Sequence, residues 1–306
     1  MPEEQLKNAN KPVSTEGRTY HVETRAGEVA NRIVTVGDMQ RARSLATHLD
    51  KVLFEKESHR GFLTITGTYR GVPLSIVAIG MGPAMVDFFV RETRMVVQGP
   101  LAIVRFGSCG SICPATIGDV IVADSAFGIG RNYAYFSEER TESDRPYMLW
   151  PAVGGDVKLT ASVAAALGKA LGESHVYRGQ VGNADSFYCS QGRIGTDFYD
   201  ANDTLIERVQ SKHPRAVALE MESHTLFHLA RVSTGPQNTQ PPSVRAACAL
   251  MVFVDRTGNA IIGPDTSKVM VRTAARAVFD ALVDDMPTQD GLHPATGSVW
   301  EGELAI

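Results

Sequence analysis

Several features that would mark a special class of protein are scarce or missing in this chain of 306 residues. It has only four cysteines, with neither a CxxC pair nor a His–Cys cluster, which argues against a disulfide scaffold or a zinc site and favours a reducing, cytoplasmic setting. No run approaches the roughly 20 apolar residues that span a bilayer, and the first residues lack the apolar stretch of a secretion signal. Its formal charge of −4 gives no overall basic field for nucleic acid or an anionic membrane. Any anion site must therefore be local.

What the chain does have is an alternation of short β-branched runs with segments of helical periodicity. Buried strands are predicted at 32–36, 62–66, 74–79, 101–104 and 119–123. Helices are predicted at about 38–48, 83–98, 156–172, 196–212, 221–232 and 266–284. The segment 69–73 between two of the runs resembles a hairpin turn, so the sheet should not be purely parallel. This pattern predicts an α/β fold with helices on both faces of a mixed sheet.

The regular pattern covers one large domain, predicted at residues 20–286. Residues 1–19 are polar and aperiodic and are expected to form a flexible lead-in, while the polar tail 287–306 is expected to be loosely ordered. Two stretches interrupt the domain, at about 128–155 and at 233–243, and both are predicted to be surface loops. The first is rich in tyrosine and charge, which fits either a partial lid or surface decoration.

The first candidate anion site is a strand-to-helix junction at residues 36–41. Gly37 ends the strand and a helix follows at once, so backbone N–H groups and the helix dipole favour an anion there. Asp38 is a candidate N-cap, and Arg41 in the first turn can add positive charge. An ordinary turn with a surface arginine would look the same, and for this motif alone that interpretation is the stronger one.

The second candidate is the segment 104–111, where an arginine follows a buried apolar run. Arg105 can donate two parallel hydrogen bonds to a phosphate, and small neighbours such as Ser108 let further donors come close. An unpaired arginine in so apolar a run would be costly, which favours a function. Dinucleotide binding is the rival interpretation of a glycine cluster after a strand, but the sequence has no G-x-G-x-x-G with a downstream acidic partner.

Two later segments offer groups that suit a sugar and a planar base. Glu220 and Glu222 flank the start of a predicted helix, where they could accept hydrogen bonds from vicinal hydroxyls or simply favour the helix start. The segment 185–193 combines an aromatic ring, an amide and a guanidinium, a set that can stack on a heterocycle and hydrogen-bond its edge. A turn rich in small polar residues would give a similar pattern.

Taken together and in this order, the segments resemble the nucleoside phosphorylase family, and within it the members that cleave uridine. The resemblance runs from about His21 to about Leu282 and rests on the ordered set GDxxR, SHRGF, a G-x-G turn, RFGSCGSI, IGDVIVAD, DSFYxxQxR and EMES. It implies a three-layer α/β/α fold with a central mixed, partly barrel-like sheet. It also implies a pentosyltransferase in which inorganic phosphate, a co-substrate, displaces uracil from C1′ of uridine without a metal or an organic cofactor.

The family pattern implies a role for each matching residue. Phosphate would be held by Gly37, Arg41, Arg105 and Ser108, with Arg60 from a partner subunit. Ribose would be held by Glu220, Met221 and Glu222, with His21 from the partner. The base would be bound by Phe187, Gln191 and Arg193. The catalytic set is Arg105, Gln191, Arg193 and Glu222. The resemblance therefore implies a homodimer with shared active sites and leaves a higher oligomer open.

Other functions remain open at this stage. Purine relatives use an acid late in the chain on N7 of the base, and Asp255 falls roughly there, so a purine nucleoside phosphorylase is the nearest alternative. A hydrolytic nucleosidase would not need Arg41, Arg60 and Arg105 together. A nucleoside-binding protein without turnover could share the fold. Bacterial relatives also bind a monovalent cation through positions that are Gly61 and Met85 here, so we predict that this cation site is absent.

Overall fold

The structure, a computed structural model, describes residues 8–195 and 197–304. Its strands are β1 (Arg32–Val36), β2 (Lys51–Glu57), β3 (Leu63–Tyr69), β4 (Val72–Ala78), β5 (Leu101–Ser111), β6 (Val120–Arg131), β7 (Tyr147–Leu149), β8 (Val153–Gly154), β9 (Val176–Ala184), β10 (Ala216–Glu220), β11 (Val244–Asp255) and β12 (Ala260–Ile261). Its α-helices are α1 (Met39–Ala46), α2 (Pro83–Val96), α3 (Val157–Leu171), α4 (Leu205–Lys212), α5 (Ser223–Arg231) and α6 (Pro264–Asp285). Short 3₁₀ turns lie between some of these elements.

The strands form one mixed sheet in the order β12-β11-β6-β9-β10-β5-β1-β4-β3-β2. Strand β11 pairs not only with β6 but also, in parallel, with β5. The strands β5, β11, β6, β9 and β10 therefore close on themselves, while β1, β4, β3 and β2 extend from β5 as an open sheet. This confirms the predicted mixed, partly barrel-like sheet.

Helices cover both faces of the sheet. Neighbouring residues of β1 point to opposite sides, so Ile33 enters the core beneath α2 and α5, whereas Val34 enters the core beneath α1, α3 and α6. Phe89 of α2 and Phe279 of α6 are fully buried in these two cores. Because each face of the sheet is apolar, each needs its own layer of helices, and the result is the predicted three-layer α/β/α architecture.

Most predicted elements are confirmed, with differences in length. The hairpin at 69–73 joins β3 to β4, which pair antiparallel. The predicted helix 196–212 begins only at Leu205, and Thr196 lies outside the described residues. The reason is tertiary: the Asn202 amide donates to the backbone carbonyls of Cys189 and Arg193, which holds this stretch against the preceding turn rather than in a helix.

The two ends of the described chain pack against the domain. Near the start, Arg18 forms an ion pair with Glu28 at 2.6 Å; residues 1–7 of the predicted lead-in lie outside the described range. The sequence predicts a loosely ordered tail after residue 286, and in the structure the described tail, 287–304, contacts the domain. The buried Arg32 guanidinium donates to the carbonyls of Met286 and Thr288, and Trp300 is fully buried. A buried arginine needs acceptors, and the tail supplies them.

The loop predicted at 128–155 is more ordered than its composition suggests. Strand β6 runs on to Arg131, and β7 and β8 return antiparallel to it. The buried Tyr147 donates from its hydroxyl to the Asp200 carbonyl at 2.6 Å, which ties this stretch to the segment before α4. Among the described helices, none has the length and apolar character needed to cross a membrane.

Candidate active site

The predicted site residues that belong to one chain converge on a single cavity of about 420 Å³. The cavity lies where β1, β5 and β10 end and where the turn after β9 approaches the β11–β12 hairpin. The sequence-predicted residues that line it are Gly37, Arg41, Arg105, Ser108, Phe187, Gln191, Arg193, Glu220, Met221 and Glu222. Segments that are far apart in the chain thus meet around one space. No residue of the 128–155 stretch lines it, and the predicted partial lid stays a prediction.

At one end of the cavity, the β1–α1 junction brings backbone close to two arginines. Asp38 caps α1, accepting from the Arg41 backbone N–H at 2.7 Å. A methyl group placed on Gly37 would lie 3.6 Å from Arg105 Nη2, so the chain here passes directly beside the guanidinium. Burial lowers the pKa of Arg41, the nearby Asp38 raises it, and the charge of Arg105 lowers it further. Two cations therefore share this end of the cavity, and the half-exposed Asp38 carboxylate lies 3.4 Å from Arg41.

The hydrogen-bond donors of the Arg105 guanidinium are only partly paired within the described residues. Its side chain is 4% exposed, and Nη2 donates to the Glu222 carboxylate at 2.8 Å. Its Nε and Nη1 atoms are buried and have no hydrogen-bond partner among the described residues. Buried charged donors without acceptors are strongly disfavoured. An acceptor from outside the chain, such as an anion, would satisfy them.

The two glutamates predicted to hold ribose have different environments. Glu222 accepts from the Gly82 backbone N–H at 2.6 Å as well as from Arg105. Glu220 accepts from the backbone N–H groups of Glu222 and Ser223 at 2.8 and 3.0 Å, at the start of α5. Burial, with a smaller contribution from the charge of Glu222, raises the pKa of Glu220 to about 7. Glu222 is thus paired with a cation, whereas burial favours the protonated form of Glu220.

The turn predicted to read the base has the bend that its sequence requires. Gly192 takes the left-handed conformation, with φ of 64°, directly after the short turn Cys189–Gln191. This bend brings Arg193 Nη1 to 2.7 Å from Gln191 Oε1 and to 2.8 Å from the Phe187 carbonyl. The Arg193 guanidinium also lies 3.8 Å from the centre of the Phe187 ring. An amide, a guanidinium and an aromatic ring therefore stand together at one side of the cavity.

Arg256, which the sequence pattern did not indicate, supports this turn from behind. Its guanidinium donates to the carbonyls of Gln191 and Gly192 at 2.9 and 3.1 Å. The neighbouring Asp255 does not line the cavity, and its Oδ1 accepts from Thr257 and Gly258 of its own turn. The apolar wall formed by Phe253, Val254, Ile261 and Ile262 was also missed. The sequence at the end of β11 indicated Asp255 as a candidate base-binding residue, but Arg256 is the residue that contacts the turn next to the cavity.

Two predicted residues lie elsewhere, as a shared site would require. His21 stacks on Phe88 with ring centres 4.0 Å apart, and its Nδ1 lies 2.5 Å from a Glu92 carboxylate oxygen. Arg60 is exposed, with its guanidinium 5.8 Å from the Tyr20 ring. Neither lines the cavity of its own chain. Their predicted contribution to a partner's site stays a prediction.

With this geometry in view, comparison with known proteins gives the family. Residues 31–234 match the Phosphorylase superfamily, and the chain belongs to it. The predicted membership of the nucleoside phosphorylase family is confirmed, and with it the prediction that the chain is a pentosyltransferase.

The relatives include enzymes for both kinds of base. The chain is 30% identical over 257 residues to a uridine phosphorylase of Thermococcus kodakarensis, covering 84% of each chain. A solved structure from a study of uridine phosphorylases in the oomycete Phytophthora capsici superposes with a TM-score of 0.85 at 34% identity, covering 91% of this chain and 99% of that one. A DeoD-type purine nucleoside phosphorylase of Roseobacter denitrificans is 28% identical over 269 residues, which is 85% of this chain and 99% of that protein.

Proposed function

We propose that the protein catalyses the phosphorolysis of uridine, giving uracil and ribose 1-phosphate. The observation that carries this proposal is the joining of two features in one cavity. Arg105 presents buried donors without partners among the described residues, and the turn 187–193 presents Gln191 and Arg193 side by side. The first suits a phosphate and the second suits the edge of a pyrimidine. The uridine phosphorylases among the relatives support the same substrate.

Phosphate would bind between Arg105, Arg41 and the backbone beside Gly37. The Nη1 donor of Arg105, which has no partner among the described residues, can donate to a phosphate oxygen. Ser108 also lines the cavity from β5 and adds a hydroxyl to the same wall. Held here, the phosphate supplies both the nucleophile and a negative charge beneath C1′.

Ribose would lie over the segment 220–222, between the phosphate and the base. In the transition state the sugar gains positive charge and the departing base gains negative charge, so catalysis depends mostly on placed charges. Glu222 is fixed by Arg105 and by the Gly82 N–H, and it would accept from the 2′-hydroxyl. Because Glu222 is held from two sides, it can orient the sugar without moving.

The base would stack near Phe187, with its polar edge on Gln191 and Arg193. Uracil presents O2, N3–H and O4, which match an amide that donates and accepts next to a guanidinium that only donates. Burial lowers the pKa of Arg193 to about 10, with the charge of Arg256 contributing, and the side chain stays charged at neutral pH. That charge would stabilise electrons arriving on the uracil oxygens as the glycosidic bond breaks.

The purine alternative uses Asp255, and the geometry disfavours it. The Asp255 carboxylate is taken up by its own turn and does not line the cavity. The purine nucleoside phosphorylases among the relatives nevertheless make it the function to test against.

We further propose that the working unit is a homodimer in the cytoplasm. His21 and Arg60 lie outside the cavity of their own chain, so a second subunit would bring them to it. All four cysteines are free, which suits a reducing compartment.

The test is to follow release of uracil, hypoxanthine and adenine from uridine, inosine and adenosine, with and without phosphate. We expect uracil release that depends on phosphate. Release of uracil without phosphate would indicate a hydrolase, preferred release of hypoxanthine would indicate the purine alternative, and no release from any nucleoside would indicate a binding protein.

A further inference from the structure

A second large groove, of about 1010 Å³, lies between α3 and α6. The segment after α1 contributes His48 to it, and the β3–β4 turn contributes Arg70. It shares no lining residue with the catalytic cavity. The proposed reaction uses none of its side chains.

The groove concentrates positive charge that the chain does not neutralise. Arg70 pairs with Asp280 and Asp284 at 3.2 and 2.9 Å. By contrast, Lys169 and Arg272 have no ion pair or hydrogen bond from their side chains within the described part of the chain. Unpaired cations gathered in one groove stand out on a protein whose formal charge is −4.

Arg276 adds a third cation, four residues after Arg272 on the same helix. Its Nε donates to His48 Nδ1 at 3.2 Å, and no carboxylate pairs with it among the described residues. Like charges at this spacing repel each other and weaken a helix. A bound anion would remove that repulsion.

His48 provides an independent sign that an acceptor belongs here. Because its Nδ1 accepts from Arg276, the neutral ring carries its hydrogen on Nε2. That Nε2 is buried and has no hydrogen-bond partner among the described residues. Burial, and then the charges of Arg276 and Arg272, lower the pKa of His48 and so favour the neutral ring. A buried donor without an acceptor is destabilising, and a ligand oxygen would satisfy it.

The shape of the groove also suits a ligand. Alanines from both helices contribute to its lining: Ala165, Ala166, Ala170, Ala277 and Ala281. Because these side chains are small, a ligand can approach the two helix backbones closely. The volume of the groove far exceeds that of one phosphate group.

We propose that the groove is a second anion site, which binds a small ligand with several phosphate groups through Lys169, Arg272 and Arg276, with His48 as a further donor.

The test is calorimetric titration of the full chain with inorganic tripolyphosphate. We expect saturable binding that weakens about tenfold or more in the double variant Lys169→Gln/Arg272→Gln, because each charged contact is strong. The matched control is Arg43→Gln/Arg91→Gln, which removes two exposed arginines from other helices. Arg105→Ala, which alters the catalytic cavity, should bind tripolyphosphate as the wild type does.

A second variant tests the site without removing any of its cations. Ala170→Glu places a negative charge at an exposed position of the groove on α3 without removing a cation, and it should weaken binding as well. Uridine turnover of each groove variant shows whether the chain is folded.

Several results would overturn the proposal. Equal weakening in the matched control would show diffuse attraction, and loss of binding in Arg105→Ala would place the ligand in the catalytic cavity. No binding to the wild type would exclude the site. If sedimentation velocity instead shows that Lys169→Gln/Arg272→Gln breaks up an oligomer, the groove is covered by a second copy of the chain.

Discussion

Arg105 and Glu222 form an ion pair of 2.8 Å in which neither side chain is more than 5% exposed. Arg105 belongs to the candidate phosphate site and Glu222 to the candidate ribose site, so one buried contact links the two. Breaking such a pair leaves an uncompensated buried charge, which costs about 3–5 kcal/mol of stability. The position of either substrate therefore depends on an interaction that belongs to both sites.

The first prediction concerns Arg105. Arg105→Ala should lower kcat/KM for phosphate on the order of 10²- to 10³-fold, because preorganised donors to the reacting anion are lost. The KM for uridine should change much less, because the Gly82 N–H still holds Glu222 in the variant. Arg105→Lys should restore only part of the activity, since a lysine cannot donate the two parallel bonds of a guanidinium. Initial rates against phosphate and uridine separate the two effects, with Arg43→Ala as the control. Near-normal kinetics at low phosphate would show that Arg105 does not bind it.

The second prediction concerns the shared site. Arg60→Ala and Arg105→Ala chains should each be nearly inactive alone. In a mixed dimer, one of the two sites keeps both arginines, so random mixing in equal amounts should restore about a quarter of wild-type activity. Chains with two different affinity tags allow the mixed dimer to be isolated and assayed. If verified mixed dimers stay inactive, each site is complete within one subunit and Arg60 has another role.

The third prediction is the choice of base. Uridine should be cleaved well, and inosine, adenosine and cytidine poorly, because a mismatched base leaves buried donors unpaired, an effect that reaches on the order of 10⁴-fold. Arg193→Ala should lower kcat as well as affinity, since charge on the uracil oxygens grows towards the transition state. Comparison of Arg193→Ala with Asp255→Ala on uridine and inosine checks this. Preferred cleavage of inosine that Asp255→Ala abolishes would favour the purine alternative.

The fourth prediction concerns Arg256, which donates to the carbonyls of Gln191 and Gly192. Arg256→Ala should raise the KM for uridine and lower kcat, because the turn that presents Gln191 and Arg193 loses two hydrogen bonds to a charged donor, worth about 1.5–3 kcal/mol each. The KM for phosphate should not change. Steady-state kinetics in both substrates measure this split, and equal losses for phosphate and uridine would point to general destabilisation instead.

The fifth prediction is a pH dependence of stability caused by Glu220. Its pKa is about 7 in the folded protein, compared with an ordinary value of 4.5. A raised pKa means that the folded state binds the proton more tightly, so this stabilisation is complete below about pH 4.5 and is lost as the pH rises through about 7. Between about pH 5 and pH 8, wild-type stability should therefore fall relative to Glu220→Gln, on the order of 3 kcal/mol.

Urea denaturation of the two proteins across that range measures the difference. Glu55→Gln, at an exposed position of β2, serves as the control. Parallel stability curves for wild type and Glu220→Gln would show that Glu220 titrates normally in the folded protein.

The sequence was informative where local pattern decides structure. The run at 32–36 and the hairpin at 69–73 follow from β-branched residues and turn residues, and both are present. It was less informative where a tertiary contact decides. The helix predicted from 196 begins at Leu205 because the Asn202 amide bonds the preceding turn, and the polar tail contacts the domain because Arg32 needs acceptors. The Thr288 acceptor of Arg32 lies 256 residues further along the chain, and the acceptors of Asn202 lie 13 and 9 residues before it, so the periodicity of the sequence shows neither contact.

The same distinction holds for the candidate site. The motifs around Arg105 and Gln191 could be recognised because their residue types suit phosphate and a pyrimidine edge. Arg256 could not, since its role depends on β11 ending opposite the turn 191–193. Where each side chain lies in the fold, rather than its residue type, explains why Arg256 contacts this turn and the neighbouring Asp255 does not.

The packed tail also gives the chain a natural fluorescent probe. The sequence contains two tryptophans, of which Trp300 in the tail is fully buried and Trp150, above Gly128 and Gly130, is 44% exposed. Emission from Trp300 should be shifted to the blue and shielded from acrylamide, while Trp150 should be quenched readily. A Trp150→Phe variant would leave a single emitter that reports only on the tail, so detachment of the C-terminal segment could be followed in real time, separately from unfolding of the sheet.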